Sequence, residues 1–442
     1  VGSLSATGGQ RYLRNRRSIG KFEIYLAPRT PRYVLGKWRM TRHSPVAICF
    51  SGGGFRAALY GLGVARYLAE SGLLANARVL NGVSGGSLSA AVIVAAARGG
   101  GAALADVPFE REVFEPFLAT VTDRSIRDVA LRRWLVGRVT PRGAPRNVLL
   151  AQTLADALVP GASRLADLPD RPQLVIAATD LATGRAFRFA KPFIGSWDLG
   201  YIETPPWFTL ATALAASAAA PPFIPVLQLD TRDLAFKNAP AVVSLTDGGV
   251  YDNLGIEWFQ GWASHRRPPG AEMAGDLIVV NASGPLLVES RAVRGVSALN
   301  RMRKIQYAQT QATRVRWFVA DLEAGRQRGL YFGITADPRR YRLPGGEPIP
   351  PSLTVPALPS SLVIPLATLR TDFNRFRLHE ARLLCYHGYW SAHARIGSLR
   401  PEQALHAPRW REFAGMSEPE AMVLARSLSR PRRRIGIGER VR

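Results

Sequence analysis

Acidic residues and lysine are scarce in this sequence. Against 58 basic residues stand 33 acidic ones, a net charge of +25. Only Lys21, Lys37, Lys191, Lys237 and Lys304 are lysine; the other cations are arginine. A field of that sign favours anionic surfaces, either acidic lipid headgroups or nucleic acid. The bland reading, GC-rich coding, carries equal weight. No helix-turn-helix, zinc or RNA-binding signature accompanies the charge and the arginines are scattered, so nucleic acid is not the expected partner. Cysteine is scarcer still. Cys49 and Cys385 are far apart in apolar surroundings, with neither a disulfide framework nor a metal spacing, which fits a reducing, cytoplasmic compartment. The histidines make no metal-ligand spacing, and neither metal nor cofactor is expected. An apolar signal core is missing from the first residues, although a chain starting at Val1 leaves room for a removed leader. The longest uncharged run, residues 204–229, contains Pro205, Pro206, Pro221, Pro222 and Pro225, too many for one spanning helix.

What is present is apolar material, 47% of 442 residues, enough for a large core. Residues 1–45 read as a basic arm. From there to about 285 the pattern alternates between buried strands and helices, as in "PVAICF" and "FRAALYGLGVARYLAESGLL", then "ARVLNG" and "SLSAAVIVAAARGG". Such alternation predicts a three-layer α/β/α fold with a mostly parallel central sheet. Residues 105–170 look mostly helical, with no internal repeat. Residues 286–442 read as a mainly helical extension packed on the core. It holds one long basic helix from about Ala298, a strand at "GLYFGITA", a second long helix over "LATLRTDFNRFRLHEARLLCYHGYW", and a frayed basic tail.

The stretch "AICFSGGGFRAALYGLG" runs from strand through three glycines into a helix. Gly52, Gly54 and Ala57 satisfy a dinucleotide fingerprint, but that reading needs a carboxylate ending the next strand. The next strand ends at Asn81-Gly82. The Walker pattern also fails, since no Gly-Lys-Ser/Thr follows. A tight turn and an anion site of another kind remain.

"LNGVSGGSLSAAV" contains G-x-S-x-G as Gly82, Ser84 and Gly86, with Gly85 directly after the serine. A serine at a sharp strand-to-helix turn takes a strained backbone and needs glycine on either side. The turn presents its hydroxyl at the sheet edge, over a helix N-terminus. Ser84 is therefore the candidate nucleophile, and it needs a base. No histidine sits in an obvious motif. His379 and His387 fall in an amphipathic helix; His43, His265 and His406 read as surface residues. Asp247, in "LTDGGVYDNLG", ends a buried strand and is the better candidate, although Asp-Gly also makes hairpin turns. Asp252 and Asn253 form a second turn signal. Asp180 reads as a turn carboxylate.

Taken together, "SGGGFR", "GVSGG" and "DGG" resemble the patatin-like phospholipases, as do "ATDLATGRAFRF" and "LAASAAAPPFIPV". The likeness spans most of residues 46–395. It implies a Ser84–Asp247 dyad with no histidine in the chemistry. It also implies an oxyanion hole from Gly52, Gly53 and Gly54, with Arg56 at the position of the family's basic residue. Ala57 stands where many members have glycine. The implied substrates are acyl esters of lipids, and the basic excess would favour peripheral contact with an anionic membrane surface. "KPFIGSWDLGYIETPPWFTL" offers aromatics for a cap or for the core in equal measure. The rival readings are a non-catalytic lipid binder, a nucleic-acid binder and a histidine-triad hydrolase. Oligomeric state is left open.

Overall fold

The computed structural model describes residues 44–97, 104–123, 146–159, 161–221, 224–237, 239–260, 266–289, 292–343, 346–400 and 404–428. The basic arm up to residue 43, Gly99–Gly101, His43, His265 and the basic tail lie outside these. In chain order the strands are β1 (Val46–Phe50), β2 (Ala77–Val83), β3 (Gln173–Asp180), β4 (Ala186–Phe189), β5 (Ile194–Ser196), β6 (Gly200–Ile202), β7 (Leu227–Asp230), β8 (Val242–Asp247), β9 (Asp276–Asn281) and β10 (Arg328–Gly333). The main helices are α1 (Gly54–Glu70), α2 (Gly85–Ala96), α3 (Glu115–Asp123), α4 (Arg146–Leu158), α5 (Leu210–Ser217), α6 (Gly295–Glu323), α7 (Ser360–Ala367), α8 (Leu378–Leu399) and α9 (Glu418–Leu428).

All ten strands form one mixed sheet in the order β10-β9-β1-β2-β3-β4-β5-β6, with β8 also on β3 and β7 on β8. From β10 to β3 every pairing is parallel; beyond β3 every pairing is antiparallel. β1 reads VAICF and is buried throughout, as a parallel strand covered on both faces must be. Its residues alternate between two cores. Val46, Ile48 and Phe50 join the cluster made with α1, α2 and α8. Ala47 and Cys49 join the opposite cluster, with Trp258 and with Val315, Phe318, Val319 and Leu322 of α6. That division is the three-layer α/β/α arrangement, with C-terminal helices on both faces, α8 on one and α6 on the other.

Helix α8 crosses α1 at backbone contact. A Cβ on Gly63 would lie 1.8 Å from the Cys385 carbonyl oxygen, and one on Gly388 would lie 2.2 Å from that of Tyr60. Side chains seal the crossing: the Tyr67 hydroxyl meets His393 Nδ1 at 3.0 Å, and the Tyr389 hydroxyl donates to Glu70 Oε2 at 2.6 Å. The C-terminal region therefore fixes the helix that carries the glycine loop.

Two local expectations change. The long helix expected over residues 366–390 is interrupted between Ala367 and Leu378. There Asp372 accepts hydrogen bonds from the Asn374 backbone N–H at 3.2 Å and its Nδ2 at 2.8 Å, while Arg370 pairs with the same carboxylate. Side chains that bond the local backbone compete with helix. The aromatic stretch after Lys191 holds the β5–β6 hairpin. Phe193, Ile194 and Phe208 are buried, while Trp197 and Trp207 are exposed.

Candidate active site

Ser84 has φ 52° and ψ −122° and is the one non-glycine residue with positive φ among the described residues. Such a backbone costs about 1–3 kcal/mol and persists only where its surroundings impose it. Here the Ser84 N–H donates to Ser217 Oγ at 2.8 Å, and that hydroxyl donates onward to the Ala177 carbonyl at 2.7 Å. The Ser87 hydroxyl binds the Ser84 carbonyl. The neighbouring glycines are dictated by space: a Cβ on Gly82 would lie 2.3 Å from Ser87 Cα, and one on Gly86 2.3 Å from the Phe50 carbonyl. Ser84 caps α2, so the positive end of that helix lies beneath it.

Asp247 reaches Ser84 by an opposed strand. β2 pairs with β3 over Gln173–Ala177, ending with Val83 opposite Ala177. β4 takes the other edge of β3 over Ile176–Thr179. β8 pairs with Ala178–Asp180, antiparallel, and ends with Asp247 opposite Ala178. Since β4 occupies the far edge, β2 and β8 share one edge of β3 end to end, and they meet where Ser84 and Asp247 sit. Both residues do emerge together, but because two strands converge head to head.

The Asp247 carboxyl accepts from the Gly249 N–H at 2.8 Å. Its backbone is pinned by Ala219 and by the Thr179 hydroxyl, which donates to the Asp247 carbonyl at 2.9 Å. Loss of water around the carboxyl pushes its pKa up to about 6, against hydrogen bonding from Ser84 and from Gly249. A carboxylate titrating there is ionised at neutral pH and basic enough to take a proton from a hydroxyl.

The glycine loop lies beside the serine. A Cβ on Gly52 would come 3.3 Å from Ser84 Cβ and 2.3 Å from Asn253 Oδ1. Gly53 (φ 140°) and Gly54 (φ 57°) adopt conformations that only glycine holds without strain. A Cβ on Gly85 would strike the Gly54 carbonyl at 1.9 Å, so the N-termini of α1 and α2 converge on one spot. The Gly52 N–H is already donated to the Asn253 carbonyl at 3.1 Å. The N–H groups of Gly53 and Gly54 are committed to no such bond among the described residues.

Arg56 stands behind this loop. Its Nη1 donates to Leu369 O at 2.9 Å and its Nη2 to Ala282 O at 3.1 Å, while Nε is buried without a partner. Burial pulls its pKa down to about 10, which keeps it charged at neutral pH. The Gly52 N–H and both Arg56 Nη atoms thus already donate to backbone carbonyls. Arg56 contributes a fixed positive charge and ties the loops after β9 and α7 to the site.

Several residues that sequence reasoning left without a role act here. Ser217, inside "LAASAAAPPFIPV", holds the Ser84 backbone. Asn81, noted for not being a carboxylate, donates Nδ2 to the Gly255 carbonyl at 2.6 Å. Asn253 donates to Ser283 Oγ at 2.7 Å and supplies the acceptor for Gly52. Asp252 accepts from the backbone of Leu254 and Glu257 and faces Arg314. Asp180 organises its own turn, accepting from Ala182 N and the Thr183 hydroxyl. Tyr307 on α6 is 40% exposed and within electrostatic reach of Asp247 and Arg56. The described histidines lie apart: His387 bonds the Ile334 carbonyl, His393 bonds Tyr67, and His379 and His406 are exposed. No cluster of metal-ligating side chains occurs among the described residues.

No curated protein sequence matches the chain. Among solved structures, human GIVD cytosolic phospholipase A2 aligns with 13% identity and a TM-score of 0.46, over 82% of this chain and 60% of that one. VipD from Legionella pneumophila aligns with 13% identity and a TM-score of 0.36, over 88% and 75%. The chain thus spans about three fifths of the length of the human protein. The family model described as patatin-like phospholipase matches residues 48–259. That span contains the glycine loop, the strained serine turn and the Asp-Gly-Gly turn, and residues 48–259 belong to the patatin-like phospholipase family.

Proposed function

We propose that the chain is a lipid acyl hydrolase of the phospholipase A or lysophospholipase type, with Ser84 as nucleophile and Asp247 as its base. One observation carries the reading: a strained serine at a helix N-terminus faces a desolvated carboxyl with pKa raised to about 6. The Ser84 hydroxyl gives its proton to Asp247 as Oγ attacks the ester carbonyl. The carbonyl oxygen becomes an oxyanion against the free N–H groups of Gly53 and Gly54, where two helix N-termini and the buried Arg56 charge favour negative charge. Collapse of the tetrahedral species expels the alcohol, which takes the proton back from Asp247, and leaves acyl-Ser84. Water, deprotonated by Asp247, then releases the fatty acid by the same steps in reverse.

The substrate class is carboxylic esters of lipids, and the partner is a membrane surface met peripherally. No helix among the described residues is long and apolar enough to cross a membrane. Within this reading, residues 46–285 are the catalytic core and 286–442 the region that braces it. A panel of fluorogenic acyl esters and phospholipids, run with wild type, Ser84→Ala and Asp247→Asn, tests it. Both variants should lose hydrolysis, and a fluorophosphonate should label Ser84 in wild type alone of wild type and Ser84→Ala. Full esterase activity in folded Ser84→Ala protein would overturn the proposal.

A further inference from the structure

Helix α6 (Gly295–Glu323) buries apolar residues only in its C-terminal half. At 100° per residue its buried apolar positions Val315, Phe318, Val319 and Leu322 form one stripe against the sheet. In its first three turns Val296, Leu299 and Met302 form another stripe, centred about 150° away around the helix axis. These three are 82%, 66% and 56% exposed, and Leu287 and Val288, just before the helix, are exposed as well. Between residues 292 and 313 the chain has four cations, Arg294, Arg301, Arg303 and Lys304, and no carboxylate. No ion pair engages any of the four among the described residues. Arg303 instead donates to Asn300 and to the Pro221 carbonyl.

We propose that this N-terminal half of α6 is where the protein docks on an anionic lipid surface. The proposal rests on the acyl-hydrolase reading and names the partner of that same site. On this wheel Arg301 and Lys304 lie opposite the stripe and Arg303 within it; an exposed apolar stripe with cations around it is the pattern of a helix that lies in the plane of a bilayer interface. Val296, Leu299 and Met302 enter the acyl boundary, while Arg301 and Lys304, on the opposite side, lie level with the headgroups. Charge selects this occupant over the chain's own outlying segments. Residues 1–43 carry ten cations and one acid, and residues 429–442 carry six and one, so both are repelled by the same cations. Position joins the surface to the chemistry. Tyr307, within reach of Asp247, is five residues beyond Met302, about 8 Å along the axis.

The test measures partition of the full chain onto phosphatidylcholine vesicles with and without phosphatidylglycerol. It compares wild type, Arg301→Ala/Lys304→Ala and Leu299→Ser/Met302→Ser, with thermal melts to establish folding. Wild type should prefer the anionic vesicles, and added salt should weaken binding. Each cation removed should weaken binding about fivefold, roughly 25-fold for the pair. The apolar pair should lose at least tenfold, and both variants should hydrolyse a monomeric water-soluble ester at the wild-type rate. Equal binding of all three proteins, or wild-type preference for neutral vesicles, overturns the proposal; so does a loss seen with duplex DNA and not with vesicles. Docking as expected without hydrolysis of the soluble ester or of the vesicle phospholipid would instead refute the catalytic reading and leave the docking surface standing.

Discussion

Replacing Asp247 by Asn should cut hydrolysis by orders of magnitude and, above pH 6, make the protein more stable. The Asp247 carboxyl titrates near 6 in the fold, because desolvation outweighs its hydrogen bonds from Ser84 and Gly249. In an unfolded chain it would titrate near the ordinary value of about 3.9. Between those values the folded state holds the proton more tightly, so this group's contribution to stability is full below about 4. It is lost as pH rises through 6. Two pKa units correspond to about 3 kcal/mol as a ceiling. Asp247 retains some solvent contact, and about 1–2 kcal/mol is the expected cost at pH 8 after screening. An amide is uncharged throughout and escapes that cost. Melts of wild type and Asp247→Asn from pH 4 to pH 8 should therefore diverge as pH rises, with the variant ahead at the alkaline end. Wild-type kcat/KM should rise with pH and level off above about 6, and the variant should lose two to four orders of magnitude, the usual weight of a general base. Parallel melting curves across that range, or a flat activity profile, would refute the reasoning.

Three further outcomes follow from the packing around the serine. Ser217→Ala removes the acceptor of the Ser84 N–H; stability should fall by about 1–3 kcal/mol and kcat by more than KM changes, read from melts and steady-state kinetics. Gly54→Ala places a Cβ 1.7 Å from the Thr371 carbonyl, whereas Gly72, also at positive φ, has nothing within 4 Å. The first should yield no folded protein, and Gly72→Ala should lose only about 1–2 kcal/mol, which soluble yield and melting temperature distinguish. His387→Gln should destabilise the fold, because its ring bonds the Ile334 carbonyl at 2.7 Å in the core, yet leave kcat/KM of the folded fraction within about twofold. A hundredfold loss there would restore a histidine base.

The parts of the site legible in the sequence are those built by contiguous residues. Glycine is forced at Gly82 and Gly86 by atoms four or five residues or one strand away, so the serine turn carries its own signature. The loop from Gly52 to Gly54 is equally local. Asp247 is legible as a strand end, but its meeting with Ser84 depends on β8 running against β3, and the Asp-Gly dipeptide is silent on strand direction. Ser217 is invisible for the same reason: its hydroxyl matters through Ser84, 133 residues earlier. The break between α7 and α8 lies in Asp372 and Asn374, whose turn-forming hydrogen bonds overrode a helical period that the flanking residues share. Arg56 was legible as a basic residue by the loop, but its bonds run to carbonyls 226 and 313 residues on.

β1 is sandwiched between β2 and β9, and the two neighbours are made at very different times. The Ser51 hydroxyl accepts from Ala282 N, 231 residues later. At about 5–20 residues per second on the ribosome, that interval is roughly ten to fifty seconds. Throughout it an all-apolar strand has one unpaired edge, the kind of surface that recruits chaperones or another nascent chain. Ser84 and Asp247 both precede β9 in the chain, and the Ser51 N–H at the start of the glycine loop bonds the Val280 carbonyl of β9. A chain ending before β9 would hold both members of the proposed dyad while β1 still lacked its second neighbour.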